Sequence, residues 1–162
     1  MQKIVTNLWF DTEAEDAAKF YTSVFKDGKI NDVSYYGEAG PRQAGMVLTV
    51  DFELHGQRFT ALNGGPDFKF NEAISLLVTC EDQAEVDYFW EKLTAGGGQE
   101  GPCGWLKDKY GLSWQITPKR LMELLSDEDP ERAQRAMACM LKMQKLDIAE
   151  LEAAFAGQPT PA

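Results

Sequence analysis

Histidine is almost missing from this chain: one residue of 162, His55, stands at a tight turn between two strand-like runs. A divalent metal centre needs three or four N, O or S donors that converge, and a lone imidazole cannot supply them. The expected state is therefore metal-free, with no cofactor. His55 itself reads as a solvated turn residue. Cysteine is scarce and odd in number. Cys80, Cys103 and Cys139 form no CxxC, which excludes a disulfide framework and fits free thiols in a reducing compartment. Basic residues are outnumbered, 16 against 26 acidic, for a net charge of -10. That balance gives no footprint for nucleic acid or an anionic membrane. No run of eighteen apolar residues exists, and no basic-then-apolar leader opens the chain, so a soluble cytoplasmic protein is expected. The glycines of Asn63-Gly64-Gly65-Pro66 match neither GxxxxGK[ST] nor GxGxxG. What remains is a well-filled globular composition, 44% hydrophobic and 11% aromatic, long enough for a real core.

The chain carries an internal repeat. Leu8-Trp9-Phe10-Asp11-Thr12-Glu13-Ala14-Glu15, running on through Phe20-Tyr21 to Gly28, is matched by Leu76-Leu77-Val78-Thr79-Cys80-Glu81-Asp82-Gln83, running on through Tyr88-Phe89 to Gly96. With Glu13 set against Glu81, the aromatic pairs and the closing glycines fall into register. Each copy reads as a strand, a capped helix and a glycine turn into more strand. A repeat of this kind fixes the fold before any local motif does.

Local signals fill in the elements. Residues 3–10 are strand-like, and Thr12-Glu13-Ala14-Glu15 has the form of a capping box. Ala14, Ala17, Ala18, Tyr21, Val24 and Phe25 follow helical spacing. Strands are expected at 29–36, 46–54 and 57–62, the last two joined by His55-Gly56. Asn63-Gly64-Gly65-Pro66 reads as a tight exit from a strand, and such loops can also rim a pocket. The second copy gives a strand at 73–80, a capping box at Asp82-Gln83-Ala84-Glu85, and a helical face of Val86, Phe89, Trp90 and Leu93 ended by three glycines. Short strands near 99–101, 105–109 and 112–117 complete it. From Pro118 the pattern turns helical, with an N-cap at Asp129-Pro130 and another at Asp147. Ala133, Ala136, Met137, Met140 and Leu141 form an apolar stripe that either folds back or docks on a neighbour.

The order βαβββ, repeated once, resembles the vicinal oxygen chelate superfamily of glyoxalases, bleomycin-resistance proteins and extradiol dioxygenases. Within it the chain is similar to the PhnB-like branch, labelled "3-demethylubiquinone-9 3-methyltransferase". The resemblance rests on Leu8-Trp9-Phe10-Asp11 with Ala17-Ala18-Lys19-Phe20-Tyr21, on Phe59 through Pro66, and on Asn71-Glu72-Ala73-Ile74-Ser75. It rests also on Cys103 through Gly111 with Ser113-Trp114-Gln115-Ile116, and on Asp129-Pro130-Glu131-Arg132-Ala133. It implies an α+β fold of two βαβββ modules with curved mixed sheets over residues 1–118, and a C-terminal helical extension over 119–162.

The same resemblance places the superfamily's metal-ligand positions at Thr6, near Ala61, at Ile74 or Ser75, and at Gln115. Only Gln115 is a plausible ligand, so the set is missing. Cys103 reads as a small packing residue, since no histidine stands by to activate it. The pocket candidates are Thr6, Phe10, Phe59, Asn63, Phe68, Phe70, Ser75, Trp105, Ser113 and Gln115, an apolar lining with a few hydrogen-bonding groups. Two classes of function follow. One is a metal-free small-molecule-binding protein of the bleomycin-resistance style, with an unknown ligand. The other is an enzyme, either a metal-dependent isomerase, lyase or dioxygenase or the methyltransferase of the label. A usual methyltransferase domain would show a doubly wound sheet with a glycine-rich first turn, which the sequence lacks. A homodimer is expected, because sheet edges and the C-terminal stripe call for cover.

Overall fold

The repeat read in the sequence is a repeat of structure. The computed structural model describes residues 2–161, and its contacts separate two units, one ending at Phe70 and the other beginning at Asn71. The first contains β1 (Thr6–Phe10), α1 (Ala14–Val24), β2 (Lys29–Tyr35), β3 (Val47–Leu54) and β4 (Gln57–Asn63). Its sheet has the order β1-β4-β3-β2, with β1 parallel to β4 and the other pairs antiparallel. The second unit repeats this with β5 (Ser75–Cys80), α2 (Gln83–Thr94), β6 (Gln99–Glu100), β7 (Trp105–Lys107) and β8 (Ser113–Pro118), in the order β5-β8-β7-β6. The fold is α+β, two βαβββ modules as expected. No helix of the described residues is long and apolar enough to cross a membrane.

Alternation along the strands decides which face the helix covers. In the first unit Leu8, Phe10, Val50, Phe52, Leu54, Phe59 and Ala61 are all buried. Against them α1 turns Ala14, Ala17, Ala18, Tyr21 and Val24. The three alanines let the helix lie close, and Tyr21 fills the gap by stacking on Phe52 at 6.1 Å, which stacks on Phe59 at 5.4 Å. Burying each such ring contributes roughly 1.5–3 kcal/mol.

The start of α1 departs from expectation. No capping box forms at Thr12; the N-cap position is Glu13, without a side-chain cap bond. The parallel register sets Phe10 beside Asn63. That brings the Asn63 side chain to the helix start, where its Oδ1 accepts from the Ala14 N–H at 2.8 Å. A residue 49 positions away thus replaces the local cap. The second box does form: Asp82 Oδ1 accepts from the Glu85 N–H at 2.9 Å. The Glu85 carboxylate accepts in return from the N–H of Glu81, one residue outside the usual position, at 2.8 Å.

The C-terminal helices are α3 (Lys119–Leu125), α4 (Pro130–Met140) and α5 (Ile148–Ala156), with Asp129 and Asp147 as the expected N-caps. They belong to the second unit. Leu121, Leu124, Ala136, Leu146 and Leu151 form their core, with Met140 packed against it. The stripe therefore folds back in part, while Leu141 stays 63% exposed.

Candidate functional site

Each sheet has one face under its helix and one face turned away. In the first unit the helix side holds Phe10, Phe59 and Asn63. Phe10 meets Phe70 edge-on at 5.3 Å. Asn63, besides capping α1, donates from Nδ2 to the Val47 carbonyl at 3.0 Å. Its own carbonyl accepts from the Tyr36 hydroxyl at 2.7 Å. Thr6 shares the register of Leu8 and Phe10, opposite Phe59, so its face is the helix side and Asn7 takes the open one. A one-residue shift flips every side chain on a strand.

The open face of the first sheet carries polar groups already joined to each other. Asp51 accepts from Arg58 Nη2 at 2.8 Å and from Thr60 Oγ1 at 2.6 Å. Ser34 and Thr49 share a hydrogen bond of 2.5 Å. Trp9 donates its indole N–H to the Gly65 carbonyl at 2.9 Å and meets the exposed Phe68 edge-on at 4.9 Å. Gly64 lies flat beneath that indole, where a Cβ would overlap the ring. Gly64→Ala is therefore expected to displace Trp9 and to lower stability by about 1–3 kcal/mol, as overpacking does. Urea unfolding of the variant checks this; an unchanged midpoint would mean that the indole yields freely.

The second sheet is different. Its register puts Ser75 and Leu77 of β5, Ser113 and Gln115 of β8, Trp105 and Lys107 of β7, and Gln99 of β6 on the open face. Gln115 Nε2 donates to Ser75 Oγ at 2.8 Å. A cleft of about 450 Å³ opens here, with Glu72, Gln99, Cys103, Trp105, Lys107 and Ser113 among its lining residues. Lys107, the cross-strand neighbour of Ser113, forms an ion pair with Glu72. The hydrogen bond from Lys107 holds the Glu72 carboxyl below the usual carboxylate range. Ser113 is 1% exposed, and its hydroxyl has no hydrogen-bond partner. Among the described residues it is the one buried side-chain polar atom left so. An orphaned buried hydroxyl costs about 1–3 kcal/mol, and its persistence asks for a reason.

Asp108 fixes the position of Ser113. It is 3% exposed. Its Oδ1 accepts from the N–H groups of Tyr110 at 2.8 Å and Leu112 at 3.1 Å, and its Oδ2 from the Trp114 indole at 2.9 Å. One carboxylate thus ties the turn before β8 to the ring that follows Ser113. Cys103, which lines the cleft, and Gly104 have φ of 58° and 81°. With the Trp105 N–H bonded to the Pro102 carbonyl at 3.0 Å, they form the tight turn between β6 and β7, a position that favours Asn-Gly.

Sequence reasoning named Trp105 and Ser113 and placed Ser75 and Gln115 on the same sheet. It missed Gln99, Lys107 and Glu72, and it read Cys103 as packing. Period-two spacing from Trp105 to Lys107 was the available signal. Burial pushes the Cys80 thiol up to about 12 and raises that of Cys139; Cys103 is the cysteine among the residues that line the cleft.

The residues present do not fit the superfamily's metal. Asn7, Ser75 and Gln115 stand at or beside the ligand positions on the open faces, and Ala61 lies under a helix. Among the described residues no three His, Cys, Asp or Glu side chains could hold an ion together.

A family model described as 3-demethylubiquinone-9 3-methyltransferase matches residues 2–117. The solved PhnB protein of Bacillus cereus is 40% identical with a TM-score of 0.64, covering 72% of this chain and 99% of its own. A Pseudomonas aeruginosa protein shares the fold at 16% identity and a TM-score of 0.59, with 73% and 98% covered. So does the fosfomycin resistance protein of Listeria monocytogenes, at 13% and 0.52, with 76% and 97% covered. No curated protein matches the chain. A family model spanning most of the sequence, a 40% identical relative and the doubled βαβββ order agree: the chain belongs to the PhnB-like, 3-demethylubiquinone-9 3-methyltransferase family of the vicinal oxygen chelate superfamily.

Proposed function

We propose that this protein binds a small molecule without a metal, and that the open face of its second sheet does the binding. The observation that carries the reading is the orphaned Ser113 hydroxyl in the wall of a cleft. Trp105 offers a flat apolar surface beside it, and Gln99 and Lys107 offer polar groups at the edges. The ligand class that suits these walls is a flat, mainly apolar molecule presenting one hydrogen-bonding atom to Ser113. Ser75 and Gln115 extend the same face. Methyl transfer, the activity in the family's description, has no donor site that these residues suggest, and the sheet order is not the doubly wound one. The protein is proposed to be cytoplasmic and homodimeric, with the exposed Ile74 and Leu77 among the apolar surface that a second copy would cover. Sedimentation velocity that shows one species at 18.1 kDa would remove the dimer.

Ser113→Ala gives the test two opposite signs. Removing an unpaired buried hydroxyl is expected to stabilise the free protein by about 1 kcal/mol, read from urea unfolding. The same change is expected to weaken binding of anilinonaphthalene sulfonate, a flat aromatic probe, about tenfold. A variant that is stabilised yet binds the probe as tightly as the parent would refute the reading. Stoichiometric zinc, nickel, manganese or iron in protein purified without chelator would refute its metal-free part.

A further inference from the structure

We infer that the C-terminal extension shapes the cleft: the segment from Met143 to Leu146 holds the Cys103-Gly104 turn as its wall, with Gln83 as the positioning residue. This deepens the binding reading above and rests on it for the cleft's purpose.

The sheet holds the turn only in part, through the Ile116 N–H donating to the Gly104 carbonyl at 2.7 Å. Cys103 sits at a φ of 58°, which costs a residue with a side chain roughly 1–2 kcal/mol. The hairpin it closes has a β6 of two residues, and short two-stranded hairpins are marginal alone. The extension supplies what is missing. The Cys103 N–H donates to the Met143 carbonyl at 2.9 Å, and the Gly104 N–H to the Gln144 carbonyl at 2.8 Å. Leu146 is fully buried and packs so close to Gly104 that a Cβ there would lie 2.9 Å from Leu146 Cδ1 and from the Ile116 carbonyl oxygen. Two backbone bonds and one close contact thus converge on the two residues with left-handed backbone.

The segment is itself clamped. Gln83, at the start of α2, donates from Nε2 to the Leu146 carbonyl at 3.0 Å and accepts at Oε1 from the Ile148 N–H at 2.9 Å. Lys145 pairs with Asp87 one helical turn on, at 2.6 Å. A rigid path runs from α2 through Gln83 to the segment, to the turn and to the cleft wall. The wall's brace lies beyond residues 2–117, where the family model matches. The Bacillus cereus relative is 99% covered by 72% of this chain, which leaves almost none of its length to supply such a brace. Cleft shape in this protein is set by a part the shared fold does not contain.

The thiols make this measurable in the full-length protein without any ligand. Dithiobis(nitrobenzoate) reacts with an accessible thiolate to form a mixed disulfide and release the nitrothiobenzoate anion. Peptide mapping assigns each rate to its cysteine. Gln83→Ala removes three hydrogen bonds, those to Leu146 and Ile148 and one to Asp87, from a half-buried helix residue outside the cleft and leaves the core intact. It is expected to raise the Cys103 rate at least fivefold with Cys139 unchanged, and to weaken the naphthalene probe by a similar factor. Leu146→Val, which keeps a branched apolar side chain there, should act in the same direction. An unchanged Cys103 rate in Gln83→Ala overturns the inference. A uniform rise at all three cysteines also overturns it, since that reports loosening of the whole fold. If the parent protein fails to bind the probe while Cys103 alone responds to Gln83→Ala, the brace stands and the binding proposal falls.

Discussion

Asp108→Ala is expected to lower the free energy of unfolding by about 3 kcal/mol or more. Three donors lose their acceptor at once: the N–H groups of Tyr110 and Leu112 and the Trp114 indole. Bonds to an ionised group contribute about 1.5–3 kcal/mol each, and a buried donor left unpaired costs about 1–3. The backbone bonds of the turn, Asp108 N–H to Leu112 and Gly111 N–H to Asp108, survive the change and keep the loss from growing further. Asp108→Asn separates the contributions. Its carbonyl oxygen can still serve the two backbone donors, but its amide N–H₂ would face the indole N–H, so a smaller loss of about 1–3 kcal/mol is expected. Urea unfolding followed by tryptophan emission measures both. If alanine costs under about 1 kcal/mol, the carboxylate is not the tie described. Because Ser113 stands between two tied positions, both variants should also lose affinity for the naphthalene probe.

The second large effect is in the other unit. Asn63→Ala is expected to cost about 3 kcal/mol. It leaves the Ala14 N–H without its cap, usually about 0.5–2 kcal/mol, and the Val47 carbonyl without its side-chain donor, at about 1–3 kcal/mol. Both bonds are made by a side chain 2% exposed, so water cannot substitute. Hydrogen exchange should rise first in the opening turn of α1, around Ala14 to Ala18. A variant that keeps those amides protected would show that Glu13 and its neighbours can cap the helix by themselves.

These two residues show where sequence reading succeeded and where it stopped. The repeat, the αβ order, the caps at Asp82, Asp129 and Asp147 and the turn at His55-Gly56 were legible because each signal is local or self-similar. The cap on α1 was not. Thr12 to Glu15 satisfies the pattern for a box, but parallel pairing of Phe10 with Asn63 brings a better acceptor from elsewhere. Asn63 looked like a pocket residue for the same reason: its polarity is visible in the sequence, its partner is not. The faces were similarly hidden. Thr6 and Asn7 differ by one position, and composition does not say which is turned to the helix. Ser113 was named as a candidate, but what makes it informative, a hydroxyl with nothing to bond, emerges only when every neighbour has been placed.

The contrast between the two open faces has a consequence for how this chain can change over generations. On the first sheet Asp51, Arg58, Thr60, Ser34 and Thr49 are mutually paired, so a substitution at one strands another. On the second sheet Ser113 has no such obligation, and its replacement relieves the fold rather than injuring it. The two modules share one strand order but differ in how far their open-face residues depend on each other. Substitution should therefore be tolerated better at Ser113 than among the paired residues of the first open face. A library randomised at Gln99, Trp105 and Ser113 should return more folded variants than one randomised at Asp51, Arg58 and Thr60.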